Sequence, residues 1–470
     1  MDKTKEIIIG LEIHTELDTA TKLFCSCPTK GSEEPNTRTC PICLGMPGSK
    51  PSLNKKAVEF AVKLCLALKC NISSELIFSR KSYFYPDLAK NYQITQYELP
   101  LGKEGKLALS SGKEIGITRV HMEEDPASLI HPAGMQNSQY VLVDYNRSGN
   151  PLLEIVTKPE LSSPEEARDF MKQLITVLSY LEIFDENSSV IKADANISIK
   201  ESGFVKAEVK NITGFKEIER ALNYEILRQK KDFKEGKKLV QETRAWDSEK
   251  GITFTLRKKE TEEDYGYIID TDLVATEITQ GMIKKIKGEM PELAQDKVKR
   301  YTEKHKISRE DALVLSQEKK LAELFEKVAE KIDPVLAARW IRRELVRVIN
   351  YNKISLNGLK IDETHLIGLL DLVEKKKITD SVAQKLLEEL IEKPFDVKEK
   401  VKKEKLEAVS DAGELEKFCK EAIAENQKAV EDYKAGEERA LNFIVGQVMK
   451  KTKGKATPKE VNEIIKSLIK

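Results

Sequence analysis

The chain has 470 residues, of which 79 are Lys or Arg and 78 are Asp or Glu, so its formal net charge is +1. This balance excludes a globally basic nucleic-acid-binding protein, although it leaves room for a local basic patch. The composition, 33% charged and 40% hydrophobic, is that of a globular protein of about three domains. No apolar run reaches the roughly 18 residues of a membrane-spanning helix and the start lacks a signal-peptide pattern, so we expect a cytoplasmic protein.

The first predicted element is a strand at residues 7–17, IIIGLEIHTEL. Successive side chains of a strand point to opposite faces, so one face is apolar and the other carries Glu12, His14 and Glu16. An imidazole flanked by carboxylates indicates a cation site, although a solvated edge strand could carry the same residues. Glu16 lies at the end of the strand, and we leave it out of the predicted ligands.

Four cysteines follow the strand with the spacing C-x-C, twelve residues, C-x-x-C. They are Cys25, Cys27, Cys40 and Cys43. Two close pairs separated by a loop are typical of a tetrahedral zinc knuckle, and four thiolates leave no open position for catalysis. The prediction is therefore a structural zinc site at residues 25–43, with four unligated thiols as the alternative.

A buried helix is predicted over residues 56–70. The next segment, residues 79–102, combines Arg80 and Lys81 with aromatic residues that include Tyr83, Phe84, Tyr85 and Tyr92. Cations can hold phosphates and aromatic rings can stack on a base, so this segment is a candidate nucleotide site. A packed loop would explain the aromatic residues equally well.

The strand predicted at residues 115–129 has a second ionisable face. Arg119, His121 and Glu123 share that face, whereas Glu124 lies on the opposite one. A bulge or the end of the strand could turn either glutamate toward a site. The pattern leaves the choice between the two glutamates open.

Two further strands, at residues 190–200 and 205–211, alternate in the same way, and residues 140–160 add polar side chains around a turn. In one antiparallel sheet the polar faces of these strands would meet. The combined face would carry Glu12, His14, Glu123 or Glu124, Glu154, Asp194, Glu208 and Lys210. So many carboxylates repel one another unless divalent cations neutralise them, and oxygen ligands with one imidazole suit Mg²⁺ or Mn²⁺. A solvated face with cross-strand Lys–Glu pairs is the alternative.

The pattern becomes helical from about residue 290. Before that point, Arg244 and Arg257 could bind phosphate or a nucleic-acid 3′ end, or could be ordinary surface residues. Residues 392–411 are predicted to form a charged linker, and a basic loop is predicted at 450–455 between short helices. The chain contains no Walker-type phosphate loop, no dinucleotide-binding glycine motif and no G-x-S-x-G elbow.

Several segments, taken together and in order, resemble the B subunit of the aspartyl/glutamyl-tRNA amidotransferases (GatB). They are GLEIHTEL, SYFYPDLAKNYQITQ, ITRVHMEEDPASL, VDYNRSGNPLLEIV, KADANISI, AEVKNITGF, QETR and FIVGQVMKKTKGKATP. The resemblance covers essentially the whole chain and implies an α+β protein. It implies a glutamine-synthetase-like antiparallel-sheet catalytic domain at residues 1–290, an all-α domain at 291–398 and a YqeY-like helical tail at 399–470 that contacts tRNA.

The resemblance implies a carbon–nitrogen ligase of protein biosynthesis with glutamine as amido donor. The family phosphorylates the side-chain carboxylate of misacylated Glu-tRNA(Gln) or Asp-tRNA(Asn) with ATP and Mg²⁺. Ammonia from a partner glutaminase then gives Gln-tRNA(Gln) or Asn-tRNA(Asn). The implied partners are the family's amidase, or A, subunit and its small C subunit, which together with this chain would form a heterotrimer.

The resemblance also implies roles for individual residues. The predicted Mg²⁺ ligands are Glu12, His14, Glu124, Glu154, Asp194 and Glu208, with Glu123 as the substitute for Glu124. The predicted catalytic residues are Glu12, His14, Glu124 and Lys210. Lys81, Arg80 and Arg147 are predicted to bind ATP. The four-cysteine cluster occurs in only some members of the family, so the zinc prediction for Cys25, Cys27, Cys40 and Cys43 rests on their spacing.

One segment departs from the family. The family often carries D-Y-R-Y-F-P, whereas this chain has DYGYII at residues 264–269, with Gly266 in place of the arginine. Two other functions remain as alternatives, a glutamine-synthetase-like ligase acting on a small acid and a non-catalytic zinc-knuckle tRNA-binding protein. The archaeal amidotransferase E subunit is a further alternative within the enzyme class, but the chain has little room for its inserted domain. The sequence also leaves open which charged tRNA is the substrate.

Overall fold

The structure is a computed structural model of the chain. It describes residues 6–134, 138–185, 189, 191–258, 265–354, 356–408 and 412–469. The chain divides into two compact units, residues 1–293 and 294–470. The first is a mixed unit built on a large sheet and the second is helical, so the predicted α+β class is confirmed.

The first unit contains the strands and four of the helices. The strands are β1 (Ile7–Glu16), β2 (Asn71–Ile72), β3 (Glu75–Leu76), β4 (Ser79–Ser82), β5 (Tyr92–Thr95), β6 (Gly102–Ala108), β7 (Glu114–Glu124), β8 (Ser128–Ile130), β9 (Leu142–Asp144), β10 (Pro151–Thr157), β11 (Ile191–Ile199), β12 (Ala207–Thr213), β13 (Glu242–Asp247), β14 (Ile252–Lys258), β15 (Ile268–Ile269) and β16 (Thr276–Glu277). The helices are α1 (Lys55–Ala67), α2 (Pro164–Leu181), α3 (Phe215–Lys234) and α4 (Gln280–Gly288).

Nine of these strands form one sheet in the order β14-β13-β12-β11-β1-β10-β7-β6-β2. The opening strand β1 is the middle strand of the nine. It pairs antiparallel with β10 on one side and with β11 on the other. Side chains from distant parts of the sequence therefore meet beside β1.

The apolar face of β1 lies in the core of the first unit. Ile9, Leu11 and Ile13 are at most 1% exposed and belong to one hydrophobic cluster with residues of α1, α2 and α3. Burying such side chains stabilises the fold by about 1.5–3 kcal/mol each. Because side chains alternate along the strand, this packing leaves the polar face of β1 on the side away from the core.

The sequence predicted an antiparallel sheet, but one pair of its strands is parallel. β12 and β13 pair in parallel, and α3 connects them. Parallel neighbours need a crossover of a dozen or more residues, whereas antiparallel neighbours can be joined by a short turn. The 20 residues of α3 supply that crossover.

The second unit is helical. Its helices are α5 (Ala294–Lys304), α6 (Arg309–Leu315), α7 (Lys319–Ala329), α8 (Pro334–Trp340), α9 (Val346–Asn352), α10 (Glu363–Glu374), α11 (Asp380–Glu392), α12 (Val397–Lys403), α13 (Ala412–Glu425), α14 (Gln427–Lys434), α15 (Glu438–Lys451) and α16 (Pro458–Ile469). One hydrophobic cluster spans Tyr301 to Val401 and a second spans Leu415 to Ile469. Among the described helices, none is long and apolar enough to cross a membrane.

The prediction of a charged linker at residues 392–411 is wrong in its middle part. Helix α12 lies there, with Val397 and Val401 only 3% and 2% exposed. These valines are one helical turn apart and pack into the first helical cluster. The many charged residues around the two valines led to the prediction of a linker. The narrow apolar stripe that the valines form is enough to stabilise a short helix by packing.

Candidate active site

A cluster of one imidazole and two carboxylates lies at the centre of the polar sheet face. Nε2 of His14 on β1 lies 3.3 Å from Oε1 of Glu123 on β7 and 3.4 Å from Oε2 of Glu154 on β10. His14 and Glu154 are direct cross-strand partners. The candidate ligand atoms of the three residues all lie within 4.8 Å of one another, close enough for one cation.

A second imidazole, His121 on β7, supports the same cluster. It is the cross-strand partner of Glu154, and its Nε2 lies 3.3 Å from Oε2 of that glutamate. His121 is 5% exposed. The sequence prediction put His121 on this face but did not include it among the site residues, although the alternation Arg119, His121, Glu123 was the signal for it.

The two imidazoles and the carboxylates stabilise each other's charged forms. Burial alone lowers the pKa of His14, but its hydrogen bond to Glu154 and the nearby carboxylates outweigh burial and raise the pKa to about 9. The same opposing effects raise the pKa of His121 to about 9. Burial alone raises the pKa of Glu154, yet the two imidazoles hold it well below its ordinary value. The cluster thus gathers positive charge around its carboxylates, a role that a bound cation would also serve.

The polar face continues beyond the cluster toward β12. Glu12 on β1 accepts a hydrogen bond of 2.9 Å from Asn196, and Glu208 on β12 accepts one of 3.1 Å from Thr243. Lys210 lies between two carboxylates, 2.9 Å from Asp194 and 3.2 Å from Glu208.

The pairing of β11 with β12 shifts in register between Ala193 and Ala195. Such an irregularity turns the residue between them, Asp194, toward β12. Asp194 accepts a hydrogen bond of 3.2 Å from the backbone N–H of Asn211 as well as the one from Lys210.

The structure does not bring Glu124 to the cluster. Its carboxylate accepts hydrogen bonds of 2.7 Å from Lys90 and 2.8 Å from the backbone N–H of Ile94. The reason is the alternation of β7, which directs Glu123 and Glu124 to opposite faces of the sheet. Of the two glutamates left open by the sequence, only Glu123 lies beside His14.

Two residues that were predicted to bind ATP, Arg80 and Arg147, form ion pairs with carboxylates of the chain. Arg80 lies 2.7 Å from Asp270, which is 2% exposed. Arg147 forms a bidentate ion pair with the buried Asp125, in which its Nη2 lies 2.5 Å from Oδ1 of the aspartate. Both guanidinium groups are thus already paired with acids of the chain, and their predicted role toward ATP stays a prediction.

Lys81 differs from those arginines. It lies above the ring of Tyr265, with 4.6 Å from Nζ to the ring centroid. No described residue forms an ion pair with it. Lys81 lines two cavities on the polar face, so it remains available to an anionic ligand.

The two cavities meet at the cluster, because Lys81, Glu123 and Glu154 line both. One, which we call the tyrosine cavity, has a volume of about 190 Å³ and is lined by Tyr97, Tyr265 and Tyr267 together with Glu12, Glu208 and Lys210. The rings of Tyr97 and Tyr267 are stacked 4.0 Å apart. The other, the Lys192 cavity, measures about 230 Å³ and is lined by His14, Arg147, Lys192, Asp194 and Asn211.

The four cysteines of the predicted knuckle converge. Candidate ligand atoms of Cys25, Cys27, Cys40 and Cys43 all lie within 4.8 Å of one another, and the two sulfurs of the C-x-x-C pair are 3.9 Å apart. A hydrogen bond from the Cys25 thiol, the backbone N–H of Cys40 and the charge of buried Lys22 lower the pKa of Cys43 to about 5. Four thiols around one point fit a tetrahedral zinc ion.

Three further predicted residues have other positions. Arg244 is 7% exposed and donates to Thr253 and Glu242, so it is neither a surface residue nor free for phosphate. The side chain of Arg257 lies outside the described residues. Gly266 adopts a left-handed conformation with φ +49° and has no atom within 4 Å of an added Cβ, so its position faces open space.

Comparisons with known proteins match nearly the whole chain. The family model of the GatB/GatE catalytic domain matches residues 7–284, and that of the GatB domain matches residues 323–469. The B subunit of the aspartyl/glutamyl-tRNA(Asn/Gln) amidotransferase of Carboxydothermus hydrogenoformans is 42% identical over 472 residues, covering 98% of both chains. The proteins of the same name from Thermodesulfovibrio yellowstonii and Methanospirillum hungatei are each 43% identical, over 477 and 474 residues, and each covers 99% of this chain. The chain covers 99% and 98% of these two relatives, respectively. The chain therefore belongs to the family formed by the B subunits of the aspartyl/glutamyl-tRNA(Asn/Gln) amidotransferases.

Proposed function

We propose that this chain activates the side-chain carboxylate of Glu-tRNA(Gln), Asp-tRNA(Asn) or both with ATP and converts it to the amide. The observation that carries this proposal is the cluster of His14, Glu123 and Glu154 between two cavities. One cavity offers aromatic rings to a nucleotide and the other offers cations to an acid. A cation site placed between two such cavities is what transfer of a phosphoryl group from one ligand to the other requires.

The reaction follows from the poor reactivity of a carboxylate. Ammonia cannot displace oxide from it, so one carboxylate oxygen first attacks the γ-phosphorus of ATP. The bond from that phosphorus to the β,γ-bridging oxygen breaks, and ADP leaves. Ammonia then attacks the carbonyl carbon of the acyl phosphate, loses a proton and expels inorganic phosphate, which gives Gln-tRNA(Gln) or Asn-tRNA(Asn).

The cluster fits a hard divalent cation. Carboxylate oxygens with one imidazole are a suitable ligand set for Mg²⁺, and His14, Glu123 and Glu154 would hold it, with Glu12, Asp194 and Glu208 nearby on the same face. Bound there, Mg²⁺ would neutralise charge on the phosphates of ATP during transfer. His121 orients Glu154 from the adjacent strand, and Asn196 and Thr243 orient Glu12 and Glu208 by the hydrogen bonds that they donate.

Two lysines are suited to phosphate. Lys81 lines both cavities and lies over the ring of Tyr265. Lys210 lines the tyrosine cavity. Burial alone lowers the pKa of Lys210, but the charges of Asp194 and Glu208 outweigh burial and raise the pKa, which keeps the ammonium charged. A lysine ammonium acts as a point charge toward a phosphate oxygen, so both can neutralise the transferring group.

The remaining parts of the proposal concern partners and zinc. Ammonia would come from the family's amidase, with the small C subunit in the same heterotrimer. The second unit would contact the tRNA, and we expect the reaction in the cytoplasm, where charged tRNA is used. The four cysteines would hold a structural Zn²⁺ that joins two parts of the loop between β1 and α1.

The test is a comparison of His14→Ala with His131→Ala, a histidine of the first unit on a loop outside the cluster. Each protein is assembled with its partner subunits and given ATP, Mg²⁺ and Glu-tRNA(Gln) or Asp-tRNA(Asn). We expect His14→Ala to abolish tRNA-dependent ADP formation while its melting curve stays cooperative, and His131→Ala to behave as wild type. Unchanged turnover in His14→Ala contradicts the proposal, and wild-type amidation of a free acid without tRNA would favour a small-acid ligase.

A further inference from the structure

A lysine that the sequence prediction did not assign to the site lies directly beside the cluster. Lys192 is on β11, and its cross-strand partner on β1 is His14. Directly opposite residues of an antiparallel pair point to the same face, with Cβ atoms about 4.5–5.5 Å apart. Lys192 is therefore held next to His14 by the backbone pairing of two strands at the middle of the sheet.

The charges of three carboxylates, Asp125, Asp194 and Glu16, act on Lys192, and each has another partner, which for Glu16 is the amide of Asn150. Asp194 accepts from Lys210 and from the N–H of Asn211. Asp125 forms the bidentate ion pair with Arg147. Within the part of the chain that the structure describes, Lys192 forms no ion pair of its own.

A half-buried ammonium without a counterion is costly, because burial removes water that would otherwise stabilise its charge. Lys192 is partly buried and lines a cavity of about 230 Å³. Since the neighbouring carboxylates already serve other donors, the counterion that would offset this cost is one that enters the cavity. The Lys192 cavity is therefore suited to a small anion.

The other cavity is better suited to the nucleotide. Tyr97, Tyr265 and Tyr267 line the tyrosine cavity, and aromatic rings stack well on a base. The described lining of the Lys192 cavity includes no Tyr, Phe or Trp. Because the two cavities share Glu123 and Glu154, ligands placed in them would meet at the cation cluster.

We propose that Lys192 binds the side-chain carboxylate of the aminoacyl group in the Lys192 cavity and thereafter the acyl phosphate formed from it. This inference rests on the proposed function and adds a specific substrate contact to it. Lys192 donates from its ammonium to one carboxylate oxygen and leaves the other to attack the γ-phosphorus. The amide product is neutral and loses this charged contact, which favours its release.

The experiment uses the full complex with its partner subunits and compares Lys192→Met, Lys192→Arg and Lys200→Met. Methionine keeps the length of the side chain without its charge, and arginine keeps the charge. Lys200 is an exposed lysine immediately after β11 and serves as the matched control. Steady-state ADP and amide formation are measured while either the charged tRNA or ATP is varied, with the other saturating.

We expect Lys192→Met to lower kcat/KM for the charged tRNA by about tenfold to a hundredfold, the loss typical of a hydrogen bond to a charged group. The KM for ATP should stay near the wild-type value, and Lys192→Arg should recover most of the lost activity. Lys200→Met should match wild type. Because the methionine variant removes an unpaired buried charge, its Tm should equal or exceed that of wild type.

Three results would overturn the inference. Kinetics of Lys192→Met equal to wild type would exclude the contact, and a larger effect on the KM for ATP would assign Lys192 to the nucleotide. A large fall in Tm of Lys192→Met would assign it a structural role. If the wild-type complex itself cleaves no ATP with either charged tRNA, the proposed function fails and this inference falls with it.

Discussion

His14 on β1 and Glu154 on β10 are direct cross-strand partners, and Nε2 of the imidazole lies 3.4 Å from a carboxylate oxygen of the glutamate. Glu123 joins them from β7, 3.3 Å from the same nitrogen. Its neighbour in the sequence, Glu124, instead accepts from Lys90. The two adjacent glutamates therefore form a matched pair of positions, only one of which lies at the cluster.

We predict that Glu123→Gln raises the Mg²⁺ concentration needed for half-maximal ADP formation by about tenfold or more, since even changes outside the ligand set commonly cost 10- to 100-fold in metal affinity. Glu124→Gln should leave this Mg²⁺ requirement unchanged. Titrating Mg²⁺ in the charged-tRNA-dependent ATPase assay, with rates normalised to folded protein, makes the comparison. The opposite order of effects would return the ligand role to Glu124.

The zinc knuckle gives a second prediction. The described residues between β1 and α1 form no named strand or helix, only an isolated bridge of Thr21 with Pro28. Leu23 and Phe24 anchor this loop in the core, and a metal would constrain the part that carries the cysteines. We expect one zinc ion per purified chain, its loss in Cys40→Ser and a lower Tm in that variant, with Cys70→Ser as the control thiol. Metal analysis and thermal melts test this, and a wild-type protein that contains no zinc and does not respond to a chelator would rule the knuckle out.

Alanine substitutions of Arg80 and Lys81 are expected to affect different properties, stability for Arg80 and ATP binding for Lys81. Arg80→Ala removes the ion-pair partner of the buried Asp270 carboxylate, which among the described residues keeps only the backbone N–H groups of Asp272 and Leu273 as donors. The free energy of unfolding should therefore fall by about 2 kcal/mol, with little change in the KM for ATP. Lys81→Ala should raise the KM for ATP and leave stability nearly unaltered. Denaturant unfolding and ATP kinetics on both variants separate the roles, and equal effects on ATP binding would restore Arg80 as a nucleotide ligand.

The helical unit offers a prediction on pH. Burial alone raises the pKa of Glu326, but hydrogen bonds from Lys297, Tyr301 and Arg300 outweigh it and lower the pKa. A carboxylate whose folded pKa lies below its unfolded value, about 4.3, stabilises the fold above that value. The contribution is lost as the pH falls through the folded pKa.

Glu326→Gln should therefore lower the free energy of unfolding by about 1–3 kcal/mol at neutral pH, with the difference from wild type shrinking as the pH falls below about 4. Glu330→Gln, an exposed position on the turn after α7, is the control and should show no such change. Thermal or denaturant unfolding between neutral and acid pH measures the difference. A constant difference across this range would show that the Glu326 carboxylate is not the stabilising form.

The period of two along each strand was enough to predict which residues share the polar face. It grouped Glu12 with His14 and separated Glu123 from Glu124, because side-chain direction follows directly from position in a strand. It could not decide which glutamate faces the site, since that depends on the register between β7 and β10. Register is a property of two strands, and no pattern within either one contains it.

The ion-pair partners of Arg80 and Glu124 could not be predicted from the sequence for a related reason. Asp270 lies 190 residues from Arg80, and Lys90 lies 34 residues from Glu124. A basic side chain looks equally available in the sequence whether or not a carboxylate reaches it in the fold. For this reason the sequence could not show that Arg80 is paired with Asp270.

The central position of β1 also bears on synthesis of the chain. Residues 7–16 are synthesised before their two neighbours in the sheet, which are residues 151–157 and 191–199. Both edges of β1 can therefore be paired only after residue 199 has been translated. Such long-range pairing is slow and leaves an apolar strand open to aggregation meanwhile. A nascent chain that ends before residue 151 thus has no sheet partner for either edge of β1.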